Sequence, residues 1–168
     1  MRECDYDSIV NDPATGLPVG PHFIDYAERL LRQCARDSNG VIGVSIYAIG
    51  FSDQYCTWAK ESPQPAEQLT NALVAALKKQ RSFSPIGRHS TAIFMLAGPR
   101  HNQAQSDTYA RTLHDISAVL LEGYSAPRGV WVAVRTLPIG ATNAKDAFQS
   151  LEKALARAVD KGLVTRVE

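Results

Sequence analysis

The sequence predicts an α/β sandwich: a central mixed sheet that carries a β-hairpin, with helices on both faces. Three observations predict it. Stretches with helical hydrophobic spacing alternate with short β-branched stretches. Two strand candidates lie only a few residues apart, which favours a hairpin. A third, over residues 41–49, is apolar along almost its whole length, the mark of a strand buried on both faces. The 168 residues suffice for about one domain, and no internal repeat or low-complexity segment suggests a second.

Residues 1–11 form a lead-in, and 12–168 the single domain. The segment 12–18 holds two prolines and a glycine and reads as a turn. Phe23, Ala27, Leu30, Leu31 and Cys34 then repeat at helical spacing over 21–37. Asn39-Gly40 breaks the chain before the apolar strand. Residues 62–65 read as a Pro-containing loop, and 66–80 as a helix with Leu69, Leu73, Ala76 and Leu77 on one side. The paired strands follow at 84–88 and 92–97. A long helix over 102–122 carries Tyr109, Leu113, Ile116 and Leu120. Residues 129–137 form another strand, and 145–161 a helix with Phe148, Leu151, Leu155 and Ala158 as its stripe. Gly162 is placed to cap that helix, and 163–167 to add an edge strand. Helical crossovers around a central hairpin give a sandwich related to the ferredoxin-like plan.

Bulk composition excludes several classes. Hydrophobic residues make up 45% and charged residues 21%, so the chain can bury a core and is not disordered. A formal net charge of +1 offers no footprint for nucleic acid or an acidic membrane. The densest basic run, Lys78-Lys79-Gln80-Arg81, ends a helix, where cations offset the helix dipole. Three cysteines (Cys4, Cys34, Cys56), with no Cys-x-x-Cys pair, argue for a reduced, cytoplasmic setting over a disulfide or zinc scaffold. His22, His89, His101 and His114 lack metal-ligand spacing on a common helix face. No apolar run reaches the roughly 18 residues of a membrane span, and the N-terminus lacks the shape of a signal peptide.

Four segments carry a more specific pattern: Asp12-Pro13-Ala14-Thr15-Gly16-Leu17-Pro18, Tyr47-Ala48-Ile49-Gly50-Phe51-Ser52, Arg88-His89-Ser90-Thr91-Ala92-Ile93-Phe94, and Ala154-Leu155-Ala156-Arg157-Ala158-Val159-Asp160-Lys161-Gly162. In order and spacing the chain resembles the GGDEF domain of bacterial diguanylate cyclases, which condense two GTP into cyclic di-GMP. The first segment is similar to that family's Asp-x-Leu-Thr-Gly-Leu-Pro, the second to Asp-x-Asp-x-Phe-Lys, the third to Arg-x-Gly-Gly-Asp-Glu-Phe and the fourth to Ala-Leu-Tyr-x-Ala-Lys-x-x-Gly. The resemblance runs from about Asp12 to Val167 and implies a nucleotidyl-cyclase-like sandwich.

The departures fall on the reactive positions. Joining two GTP molecules needs divalent metal held by carboxylates, and cations along the triphosphates. By this resemblance the metal-binding Asp of the first strand is Tyr47, and the acidic pair of the signature is Ala92 and Ile93. The two triphosphate lysines are Ser52 and Val159. The guanine-contacting Asn is Tyr55, and its partner Asp falls near Glu67, an acid also explained as dipole-favoured at a helix start. Ser90 and Thr91 replace the two glycines, so the hairpin tip is expected to use a different turn. The signature Ser90, Thr91, Ala92, Ile93 and Phe94 is thus degenerate, and no catalytic residue, metal ligand or cofactor is assigned. Magnesium with GTP is what the family would use.

What remains implies binding or regulation. The family's product-inhibition site, Arg-x-x-Asp, falls on Arg81-Ser82-Phe83-Ser84, with Arg111 near its second arginine. A guanidinium can fork onto phosphate or a guanine edge, so Arg81 and Arg111 are candidate cyclic di-GMP contacts, or else solvated surface arginines. Phe51 and Phe83 are expected in packing, Trp58 over the former nucleotide cleft or against a partner, and Trp131 in the core. The resemblance implies a catalytically inactive regulatory or interaction domain, beside an EAL phosphodiesterase or sensory domain of the same polypeptide, or in a homodimer. It implies no nucleic acid and no membrane contact. The alternatives are a cyclic di-GMP receptor and an altered cyclase using Asp53 and Glu67.

Overall fold

The computed structural model describes residues 16–18, 20–36, 43–80, 86–100, 103–138, 144–158 and 164–166. The elements run α1 (Gly20–Arg36), β1 (Gly43–Phe51), α2 (Asp53–Glu61), α3 (Pro63–Lys79), β2 (Ile86–Ser90), β3 (Ile93–Arg100), α4 (Gln103–Gly123), β4 (Val130–Pro138), α5 (Ala144–Ala158) and β5 (Val164–Arg166). The lead-in, Arg81 to Ser84, Val159 and Gly162 lie outside the described residues.

The strands form one sheet in the order β2-β3-β1-β4-β5. The first four are antiparallel neighbours, and β5 runs parallel to β4. The sheet is mixed, as the sequence predicts. β1 is its centre, and all nine of its residues are buried. Such a strand needs apolar side chains in both directions. Alternation then divides the core in two. Tyr47, Ile49 and Phe51 face Leu69, Leu73 and Leu77 of α3 and Leu113 of α4. Val44, Ile46 and Ala48 face Phe23 and Leu31 of α1 and Phe148 and Leu151 of α5.

The structure departs from the sequence reading in three places. Residues 53–61 form a helix that apolar periodicity does not mark, because only Tyr55 of its nine residues is buried. Its signal is the cap: the Ser52 hydroxyl accepts from the Tyr55 amide at 3.2 Å, and Asp53 opens the first turn. The loop expected at 62–65 shrinks to Ser62, because Pro63 starts α3. Proline is tolerated there, since a first-turn N–H has no intrahelical partner. Third, Trp131, expected in the core, is half-buried at the end of the sheet where β4 begins.

Two details fix the hairpin. Phe23 lies so close to Gly87 that a Cβ there would sit 2.7 Å from its ring, so α1 seats directly on the β2 backbone. Segment 16–18 runs beside β2, with the Arg88 amide donating to the Pro18 carbonyl at 3.0 Å and Leu17 buried in the core.

Candidate functional site

The β2–β3 hairpin and the end of β1 meet where the resemblance places nucleotide chemistry. β2 carries one extra residue between the Arg88–Phe94 and Ser90–Ile93 pairs, a bulge at His89. Thr91 and Ala92 then make the turn. The Ser90 hydroxyl accepts from the Ala92 amide at 3.3 Å, and the Arg88 Nε donates to the Ser90 carbonyl at 3.2 Å. Neither Thr91 nor Ala92 has positive φ. The turn thus closes without glycine, as expected from Ser90-Thr91.

Beyond the turn the site is apolar. The Phe51 amide donates to the Ala92 carbonyl at 2.9 Å, which seals the hairpin onto the end of β1. Phe51 stacks on Tyr55 at 4.7 Å between centroids and meets Phe94 edge-on at 6.3 Å. Trp58 continues the row, 5.6 Å from Tyr55. The Arg88 guanidinium lies 5.3 Å from the Phe94 ring centroid, a cation–π contact. Burial raises the Tyr55 pKa above its ordinary 10.0, opposed by a hydrogen bond with Thr70 and by the positive charge of Arg88. The phenol is therefore a neutral packing group in the ordinary pH range.

The candidate residues fare differently. Ala92 and Phe94 are buried, Ser90 and Ile93 are half-buried and Thr91 is exposed at the tip. Tyr47 is fully buried but sits in mid-strand, opposite Leu96. Phe51, four residues further on, is the residue bonded to Ala92. Four residues of strand span about 13 Å, whereas ligands of one magnesium lie about 2 Å from it. The structure does not bring Tyr47 and Ala92 together. Glu67 is exposed on α3. It is the fifth residue of that helix, past the first turn where the dipole acts. Asp53 is exposed at the start of α2, and Arg111 is exposed on α4. Arg81 lies outside the described residues.

Sequence reasoning missed a cavity on the other flank of β1. It encloses about 330 Å³ between α4 and the start of β4, with His114, Arg128 and Trp131 among its walls. No motif announces it, because its residues are spread over two elements and none forms a pattern in sequence. Among the described residues, no group of three His, Cys, Asp or Glu side chains could hold a metal ion. No described helix is long and apolar enough to cross a membrane.

A sheet of this order, with a hairpin reaching the end of its central strand and helices on both faces, defines a nucleotidyl-cyclase-like α/β sandwich. Among solved structures it is the GGDEF-domain fold. The chain superposes on the GGDEF domain of DgcB from Caulobacter crescentus, solved with c-di-GMP, with a TM-score of 0.66 and 16% identity over 95% of this chain and 96% of that one. The FimX GGDEF domain from Pseudomonas aeruginosa gives 0.66 and 16%, over 95% and 99%. The S helix-GGDEF-EAL structure of Vibrio cholerae LapD, bound to c-di-GMP, gives 0.58 and 15%, over 94% of this chain and 36% of that one. No protein-family model matches the chain, and no curated protein matches it in sequence.

Proposed function

We propose that this domain is a GGDEF-fold regulatory module of cyclic di-GMP signalling that has no cyclase activity of its own. One observation carries the reading. The end of β1 nearest the hairpin tip is filled by Phe51, Tyr55 and Phe94, with Ala92 bonded to Phe51.

The pairing also supports a different alignment of the metal-binding segment. Two carboxylates that share an ion must be neighbours, and the neighbour of Ala92 is Phe51 rather than Tyr47. The family's Asp-x-Asp-x-Phe-Lys then slides by four residues onto Phe51-Ser52-Asp53-Gln54-Tyr55-Cys56. In this register Asp53 meets the second Asp, and the buried Tyr55 meets the Phe. The first Asp is Phe51, and the Lys is Cys56. The residues present do not fit magnesium: a phenyl ring, a methyl group and the Ile93 side chain supply no oxygen to a hard cation. No step of phosphoryl transfer is derived through this end of the sheet.

A module of this kind acts through its surface. The likeness to a GGDEF-EAL structure supports an EAL or sensory domain of the same polypeptide as its partner, with a second copy of the chain as the other arrangement. Cyclic di-GMP binding through Arg81 and Arg111 is a second reading, favoured by the exposure of Arg111 on α4. Purified protein incubated with GTP and magnesium should form no cyclic di-GMP above background. Magnesium-dependent product would overturn the inactive assignment. Calorimetry with cyclic di-GMP on the parent and on Arg81→Ala tests the receptor reading, and absence of heat from the parent removes it.

A further inference from the structure

The cavity between α4 and β4 has the anatomy of a small-molecule site. Its volume of about 330 Å³ falls at the lower end of the range for ligand pockets, roughly 300–1,000 Å³. His114, Ala118 and Glu122, all in its wall, recur every four residues on α4 and so form one stripe. The stripe is about 12 Å long at 1.5 Å per residue. A polar group thus stands at each end, with small and apolar groups between.

The two ends offer different chemistry. His114 is buried to nine-tenths. Its Nδ1 lies 3.2 Å from the Asp115 carboxylate. In the neutral ring that carboxylate favours the proton on Nδ1, which leaves Nε2 as an acceptor. Among the described residues Nε2 has no hydrogen-bond partner. At the other end stand Glu122 and Arg128, one anion and one cation. The last turn of α4 holds no basic residue, so its carbonyl ends add to the attraction for a cation.

The body of the cavity suits an aromatic ring. Leu121 and Val130 face it from the α4 side of the sheet, while Trp131 borders it at the strand end with its indole packed toward the α1 and α5 side. Gly129 has φ +122, and a Cβ there would come 3.0 Å from the Trp131 Cη2. Glycine therefore serves twice, by permitting the backbone and by letting the indole lie against it. Ala118 keeps the floor low.

We propose that this cavity binds an aromatic amino acid in its zwitterionic form. Its ring lies against Leu121 and Val130 over Ala118, and its ring N–H or O–H donates to the His114 Nε2. Its carboxylate forks onto Arg128, and its ammonium meets Glu122 and the end of α4. The ligand joins α4 to the start of β4. Val130 pairs with Phe51 there, so occupancy reaches the filled end of β1 through one strand pairing.

Calorimetry and amide NMR titrations of the whole chain with L-tyrosine, L-phenylalanine and tyramine test this. L-Tyrosine should bind and shift the amides of His114, Ala118 and Trp131. L-Phenylalanine should bind about tenfold or more weakly, because it leaves the buried imidazole unpaired, and His114→Phe should abolish that difference. Arg128→Ala should weaken L-tyrosine about tenfold while leaving tyramine unchanged. Ala118→Phe, which fills the cavity, should abolish all binding while the protein still melts cooperatively. Absence of heat and of shifts with all three probes would overturn the proposal. So would binding that survives Ala118→Phe.

Discussion

The end of β1 has two flanks, and they are built differently. On the hairpin flank, Phe51 bonds to Ala92 and packs on Tyr55 and Phe94. On the β4 flank, Phe51 pairs with Val130, and a cavity of about 330 Å³ opens beside that residue. The backbone plan is the same on both sides, antiparallel pairing to the strand end. Side-chain size makes the difference. Three aromatic rings close one flank, whereas Ala118 leaves room on the other. Where this fold keeps a usable hollow is set by a few side chains and not by its topology.

Substitutions can break this contrast, starting with its strongest part. Phe94→Ala removes a fully buried ring from the closed flank and should cost about 3–5 kcal/mol, read as a lower urea midpoint at unchanged slope. Enlarging an alanine on each flank sharpens the comparison. Ala92→Leu forces extra carbons into packed space and should cost about 1–3 kcal/mol. Ala118→Leu grows into the cavity and should change stability by less than about 1 kcal/mol in the same measurement. Equal losses from the two would show that both flanks are equally full.

A further, modest effect concerns the Tyr55 hydroxyl. Tyr55→Phe deletes its hydrogen bond with Thr70 and should cost about 1 kcal/mol near neutral pH. Burial raises the Tyr55 pKa in the folded state, so folding holds the proton more tightly than the unfolded chain does. The contribution of that proton to stability is complete below the unfolded value near 10 and is lost as pH rises through the folded value. Unfolding of the parent from pH 9 to 12 should show this decline, and the variant should lack its part of it.

Much of this was legible in the sequence, for physical reasons. The apolar run of β1 and the helical stripes of α1, α3, α4 and α5 report burial directly, so the layers and the central strand follow from them. Ser90-Thr91 correctly signals a turn that needs no glycine. Short helix α2 was not legible, because one buried residue in nine makes no stripe. The alignment of the reactive segment was not legible either. Tyr47 and Phe51 both lie in an apolar strand, and only the pairing with β3 tells which of them stands beside Ala92. The cavity depends on contacts between α4 and β4 that no local pattern encodes.

The inactive reading proposed above requires that the hairpin flank of β1 take up neither divalent metal nor GTP. Manganese is paramagnetic and broadens the amide signals of residues near it. An NMR titration of the protein with manganese and GTP therefore reads the site directly. No selective broadening is expected at Phe51, Ser52 or the amides of Ser90 to Phe94. Selective, GTP-dependent loss of those signals would contradict that reading.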